Sequence, residues 1–179
     1  LWASLAERYA DEPTVIGYDL LNEPIASYFD RETLNPLLEP LYKRIVAAIR
    51  AHDPNHIIFL GGARWNTDFS VFGPPFDDKL AYTFHRYWDP VTPTLIDPYL
   101  EFSERYNVPL WMGESGENTY EWIAAFRELL EAHDVGWCFW TYKRLDTDRC
   151  VVSIERAPEW DAIVAFAEHP RATFKEIRE

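Results

Sequence analysis

Residues 14–24 read TVIGYDLLNEP. A mostly apolar run from Val15 to Leu21 stops at an amide, a carboxylate and a proline in succession. A short apolar run bounded by turn signals reads as a buried strand. The helical stretch TLNPLLEPLYKRIVAAIRAHD (33–53) follows, and then a second apolar run, HIIFLGG (56–62), which ends in glycines. The alternation repeats down the chain. The strand-like runs LAYTFHRYW (80–88), VPLWMGES (108–115) and VGWCFWTY (135–142) are separated by the helical patterns TLIDPYLEFSERYN (94–107) and TYEWIAAFRELLEAHD (119–134). Short strands that are apolar on both faces and separated by helices predict an α/β fold with a parallel sheet covered by helices. No strand runs into a glycine-rich phosphate loop, which leaves nucleotide-binding sheets without support. A (β/α)8 barrel remains.

The helices can be placed in more detail. Leu1, Trp2, Leu5 and Tyr9 share one face of an opening helix, which Asp11-Glu12-Pro13 ends. Leu34, Leu37, Leu38, Leu41, Ile45 and Ile49 form the predicted apolar stripe of the next, with its regular part starting near Pro40, since proline is tolerated in a first turn. Trp122, Ile123, Phe126, Leu129 and Leu130 face inward on the helix over 119–134, and the spacing predicts a last helix over 158–169. Residues 63–79 read as a long loop. The chain has 179 residues, and a complete barrel takes roughly 250. Five strands, preceded by a helix, therefore read as the C-terminal portion of one barrel domain over 1–179, with strands four to eight present.

Composition narrows the function. The formal charge is −13, which disfavours nucleic acid and anionic membrane surfaces as partners. No apolar stretch is long enough to span a bilayer, and residues 1–13 look like an amphipathic helix and not a charged leader. The two cysteines, Cys138 and Cys150, are too few for a disulfide scaffold, though one bridge between them is open; Cys138 reads as a buried thiol. Aromatic residues make up 16% of the chain, enough to fill a core and to leave flat platforms for sugar rings.

In a barrel, catalytic groups stand at the C-terminal ends of the strands. Those ends carry Asn22-Glu23, then Arg64-Trp65-Asn66, then His85-Arg86-Tyr87-Trp88, then Glu114, then Trp140 with Tyr142 and Lys143. Two carboxylates facing each other across such a rim point to glycoside hydrolysis, in which one group must be protonated to release the leaving oxygen and the other ionised to meet the anomeric carbon. Pro24 is expected to push Glu23 out of the helical region and limit its travel. Trp65, Asn66, Trp88 and Asp89 are candidates for the groove, Arg64 for pairing with a rim carboxylate, and Lys143 for a sugar contact or a rim salt bridge. His85 has no second His or Cys at ligand spacing, so no metal or other cofactor is expected.

The motifs LLNEP, FHRYW, WMGES and WCFWTYK, in this order and at strand ends, resemble glycoside hydrolase family 5, the retaining cellulase-type barrels. The resemblance implies Glu23 as acid/base, Asn22 as ligand of the sugar 2-hydroxyl, and Glu114 as nucleophile. It implies His85 and Tyr87 as the pair lining the cleavage point, with Tyr87 touching Glu114, and Trp140 as the platform under the sugar. The implied activity is a retaining endo-β-glycosidase acting on an oligo- or polysaccharide. A cellulose-type β-glucan leads, and mannan, xylan and β-1,3-glucan are alternatives. Such an activity belongs in a secreted or periplasmic setting. The family also uses an Arg from strand two and a His from strand three, which this sequence does not include. The chain alone is therefore expected to be impaired unless the missing N-terminal half of the barrel is supplied as a partner. A non-catalytic carbohydrate-binding protein is the competing expectation.

Overall fold

The computed structural model describes residues 1–168. Two compact units divide the chain, Leu1–Trp140 and a second beginning at Thr141. The first contains a helix α1 (Trp2–Tyr9), strand β1 (Gly17–Asp19), helix α2 (Arg31–Arg50), strand β2 (Ile57–Gly61), a four-residue turn α3 (Ala63–Asn66), a 3-10 turn (Phe69–Val71), strand β3 (Leu80–His85), helix α4 (Asp97–Tyr106), strand β4 (Leu110–Glu114), helix α5 (Tyr120–Ala132) and strand β5 (Gly136–Trp137). The sheet runs in sequence order, β1-β2-β3-β4-β5, and every neighbouring pair is parallel. This is the strand–helix alternation of a partial α/β barrel.

Strand alternation sorts the side chains onto two faces. Tyr18, Ile58, Leu60, Tyr82, Phe84 and Met112 join the core with Leu38, Tyr42, Val46 and Ile49 of α2, Tyr99 and Phe102 of α4, and Phe126 and Leu130 of α5. The opposite face carries Phe59 and Trp111, whose rings lie 6.3 Å apart. Residues 63–79, read as a loop, contribute two core rings. Phe69 stacks edge-on to Tyr99 at 4.9 Å, and Phe72 edge-on to Tyr82 at 5.0 Å, so the segment beneath the rim is packed.

Helix α2 departs from expectation. It starts at Arg31 and runs through both Pro36 and Pro40. Asp30 caps it, its carboxylate accepting from Thr33 N at 3.3 Å and Thr33 Oγ1 at 2.7 Å. The two prolines stand four residues apart on the exposed side, and Glu32 and Pro36, whose carbonyls they leave without a helical N–H partner, are exposed residues. The buried stripe is also rotated: Leu37 and Leu41 are exposed, and Tyr42 and Val46 take the inward places.

The expected eighth strand is shorter than predicted. Regular pairing covers Gly136–Trp137 only. The chain then follows β4 less regularly, with Cys138 N donating to Met112 O at 2.9 Å and Trp140 N to Ser115 O at 2.7 Å. Cys138 is exposed, against the expectation of a buried thiol, and both cysteines are free. The second unit holds a parallel pair, β6 (Lys143–Leu145) and β7 (Val152–Ile154), where the sequence reads as loop, and the last helix, α6 (Trp160–Glu168). His169, the final residue of the predicted helix, lies outside the described residues.

The end of the sheet opposite the rim is tied by buried polar contacts. The Asp53 carboxylate accepts from Tyr18 Oη at 2.6 Å and from the backbone N–H groups of Asn55 and His56 at 2.8 and 3.0 Å. Arg50 holds Asp77 through two bonds of 2.8 and 2.9 Å and donates to the carbonyls of Asp53 and His56. Burial pushes the Asp53 carboxyl up, but the Tyr18 hydroxyl and the two N–H groups outweigh it and hold the group down at about 2. A carboxylate depressed on folding contributes stability that is complete above its ordinary value and lost as pH falls through the folded one. Tyr18→Phe is therefore expected to lower stability near neutral pH by about 1.5–3 kcal/mol, the range for a hydrogen bond to a charged group. It should also make urea midpoints less steep in pH between about 4 and 2. An unchanged acid limb in the variant would remove Asp53 from that role.

Candidate active site

A one-residue irregularity builds the site. Strand β3 pairs with β4 in constant register through Phe84↔Met112, and then His85 pairs with Glu114, skipping Gly113. The bulge brings the imidazole and the carboxylate to the same level of the rim, a common use of such irregularities beside active sites. Gly113 permits it. A Cβ there would lie 2.4 Å from Thr83 Oγ1 and 3.1 Å from His85 Nε2.

His85 is almost fully buried, with Nδ1 lying 2.9 Å from Glu23 Oε1 and 3.5 Å from Glu114 Oε2. Glu23 reaches it from the end of β1 and Glu114 from the end of β4, each with about a fifth of its side chain exposed. One oxygen of each carboxylate and a ring nitrogen of His85 all lie within 4.8 Å of one another. Tyr87 Oη donates to Glu114 Oε2 at 2.7 Å. Burial and then this bond to a carboxylate raise the Tyr87 phenol well above its ordinary range, so it stays protonated and remains a donor. Asn118 Nδ2 donates to Tyr87 O at 2.7 Å and Trp122 Nε1 to Asp89 O at 2.7 Å, which fixes the segment carrying Tyr87.

Glu23 lies outside the right-handed helical region, as expected of a residue before Pro24, and does so in left-handed backbone. Glu23 has φ 45° and Ile25 φ 56°, so the proline sits between two left-handed residues. The restraint on Glu23 is a tight turn and not a continued strand.

A cleft of about 560 Å³ opens over these groups, and Asn22, Glu23, His85, Tyr87, Glu114 and Trp140 all line it. Asn22 is exposed, and Trp140 is about half exposed, as a sugar platform needs to be. Trp65, Arg86, Trp88 and Asp89 line the same cleft and also a wider one of about 910 Å³ beside it. Arg86 pairs with Asp89 at 3.1 Å and lies over the Tyr99 ring. Arg64 shows no ion pair among the described residues, so the expected pairing with a rim carboxylate is not found. Lys143 belongs to the second unit.

Two polar groups were not singled out correctly. Asn66, expected in the groove, is fully buried behind His85, with Nδ2 3.2 Å from His85 Nε2. Asp19, one pleat before the rim, was overlooked. Its carboxyl is pushed up to about 6, chiefly by desolvation, with His85 opposing and the Glu114 charge adding. Because the side chain is open to water on the concave face, solvent screens part of that shift. The signal for Asp19 was its place in strand alternation, opposite to Tyr18.

Glu23, His85 and Glu114 are also, among the described residues, the group whose spacing could hold a metal ion. A cation there would have to displace the His85–Glu23 contact and compete with the Tyr87–Glu114 bond.

The chain is 29% identical over 179 residues to a β-xylosidase of Phanerodontia chrysosporium, covering 80% of this chain and 36% of that protein. It is 26% identical over 140 residues to endoglucanase H of Acetivibrio thermocellus, covering 67% of this chain and 15% of that protein. The chain thus spans little more than a third of the first and a smaller part of the second. Among solved structures, the endoglucanase Cel5A of Thermotoga maritima superposes with a TM-score of 0.66 at 21% identity, over 79% of this chain and 56% of that one, which shows a shared fold. The model for cellulase, glycosyl hydrolase family 5, matches residues 1–146, and the chain belongs to that family.

Proposed function

We propose that the chain carries the acid–base and nucleophile half of a retaining endo-β-glycosidase that cleaves β-glucan by double displacement. The observation that supports this most directly is the spacing of the two carboxylates, with oxygens of Glu23 and Glu114 within 4.8 Å of each other, both on the Nδ1 side of His85. Retaining enzymes hold their carboxyl groups about 5–5.5 Å apart, whereas inverting ones need about 6.5–9.5 Å to fit a water. The named relatives, a β-xylosidase and an endoglucanase, agree with β-linked sugar chains as substrate. A secreted or periplasmic setting follows from such a substrate.

In this reading Glu114 is the nucleophile. Its Oε2 accepts from Tyr87, which orients the carboxylate and aims the other oxygen. It attacks the anomeric carbon while Glu23 transfers a proton to the leaving oxygen. The glycosyl ester on Glu114 is then opened by a water that gives its proton to Glu23. Asn22 holds the 2-hydroxyl, where a hydrogen bond strengthens as the oxocarbenium ion forms. Trp140 supports the ring. These residues need no metal or cofactor for the step.

Two experiments test the assignment. A 2-deoxy-2-fluoro-β-cellobioside with a dinitrophenolate leaving group should label the chain once, and peptide mass mapping should place the sugar on Glu114. Labelling of another residue overturns the assignment, and oligosaccharide binding with no labelling favours a binding module. In turnover assays Glu23→Gln should cost about 10²–10⁴-fold on cellulose-type substrates, the usual worth of a general acid. It should cost far less on the dinitrophenyl glycoside, whose leaving group needs no proton. Equal losses on both substrates would deny Glu23 the acid role. Tyr87→Phe should lower kcat more than it raises KM, since its bond acts on the nucleophile and not on bound sugar.

A further inference from the structure

Arg64, Trp65 and Asn66 have φ of 51°, 61° and 57° in succession. Left-handed backbone is unfavourable for residues with a Cβ, less so for asparagine than for arginine or tryptophan. Strain of this kind persists where the surroundings fix it and where it serves a site. The surroundings here are well defined. Arg64 N donates to Ile25 O at 2.9 Å, and Ala63 and Asp68 exchange backbone bonds of 3.0 Å. Thr67 Oγ1 donates to Arg64 O at 2.6 Å, and Tyr99 Oη to Thr67 O at 3.0 Å.

The turn drives the Asn66 amide into the protein, beneath His85. Two further observations show that the amide is placed for this contact. A Cβ at Gly61 would lie 2.4 Å from Asn66 Oδ1, so the strand backbone is cut away to admit the side chain. Asn66 Oδ1 is itself buried with no hydrogen-bond partner among the described residues, where the side chain's one bond is that to His85 Nε2. A buried amide with one end unsatisfied is costly, which argues that the other end serves a purpose.

We propose that Asn66 is a positioning residue that fixes the tautomer of His85. The amide N–H donates to Nε2, so Nε2 presents its lone pair and the single ring proton sits on Nδ1. Nδ1–H then points at Glu23 Oε1, with Glu114 Oε2 next nearest. A free imidazole prefers its proton on Nε2, so the site needs a device to reverse that preference. The tautomer follows from the amide contact and does not rest on the proposed acid role of Glu23. Turning the amide by half a rotation would place Oδ1 on Nε2 and require the opposite tautomer, so the two orientations are distinguishable.

The test is a long-range ¹H–¹⁵N correlation of the histidine rings in the ¹⁵N-labelled chain, without substrate, with His85 assigned by the signal lost in His85→Gln. The expected result is an Nδ1–H ring for His85. Asn66→Leu should let it revert to Nε2–H, and Asn66→Asp should put a proton on Nε2, from which the new carboxylate accepts. An Nε2–H or imidazolium ring in the unmutated chain overturns the proposal, as does an Nδ1–H ring that survives Asn66→Leu. Should thermal melts show that either variant does not fold, the unmutated spectrum alone decides. Because no turnover enters the measurement, failure of the glycosidase reading would leave the tautomer result standing, and the reverse also holds.

Discussion

The site depends on one strand irregularity. With the constant register of Tyr82↔Leu110 through Phe84↔Met112 continued, His85 would pair with Gly113 and Glu114 would move one pleat on, onto the other face. The inserted Gly113 lets His85 and Glu114 face the same cavity. The proposed reading depends on that: it puts Glu114 beside the Nδ1 edge of His85, which Glu23 also meets, and within reach of Tyr87 two residues on. The glycine is constrained on the inside as well, since Thr83 and His85 occupy the space a side chain would take.

A buried imidazole beside two carboxylates is expensive to assemble, and the rest of the first unit is arranged to hold it. Groups of this kind are stable only when fully bonded and firmly placed. The rings of Phe69, Phe72, Tyr82, Tyr99 and Phe102 lie beneath the rim between β3 and α4. Tyr99 belongs to both layers. It stacks on Phe84 at 4.1 Å in the core, lies under the Arg86 guanidinium and bonds Thr67 O beside the strained turn. At the other end of the sheet, Arg50 and Asp53 close the connections without touching the cleft, so rigidity and chemistry sit at opposite ends.

What could be read from the sequence follows the same division. Strands and their order were legible because burial on both faces writes a continuous apolar run, and the rim residues because each stands where such a run stops. The resemblance to family 5 rested on the same strand ends. Features that depend on one backbone angle were not legible. Nothing in "WMGES" tells a bulge from a straight strand. Nothing in "NEP" announces φ 45° at Glu23, since proline biases the preceding residue towards extended backbone. Asn66 looked like a groove residue because polar side chains at strand ends face solvent by default, and only the turn before it reverses that. The prolines of α2 misled in another way: propensity counts the lost N–H, while the cost depends on whether the freed carbonyl meets water. The Asp30–Thr33 cap was a usable signal that outweighed them.

The strained turns explain each other. Glu23-Pro24-Ile25 is left-handed at its first and third residues, and Arg64-Trp65-Asn66 at all three. They are joined by Arg64 N to Ile25 O, by Trp65 Nε1 to Ser27 Oγ at 3.3 Å, and by Tyr28 packed edge-on to Trp65 at 5.8 Å. One turn carries the proposed acid/base and the other carries the amide behind His85, which contacts that acid/base from the opposite side. The three groups form a closed circuit: backbone from Glu23 to Ile25, a hydrogen bond to the second turn, Asn66 to His85, and His85 back to Glu23. A displacement of either turn must change both ends of the imidazole at once. Strain that would be wasteful in either turn alone thus holds a proton-transfer group and its neighbour at fixed separation, and catalysis by a positioned acid depends on that separation.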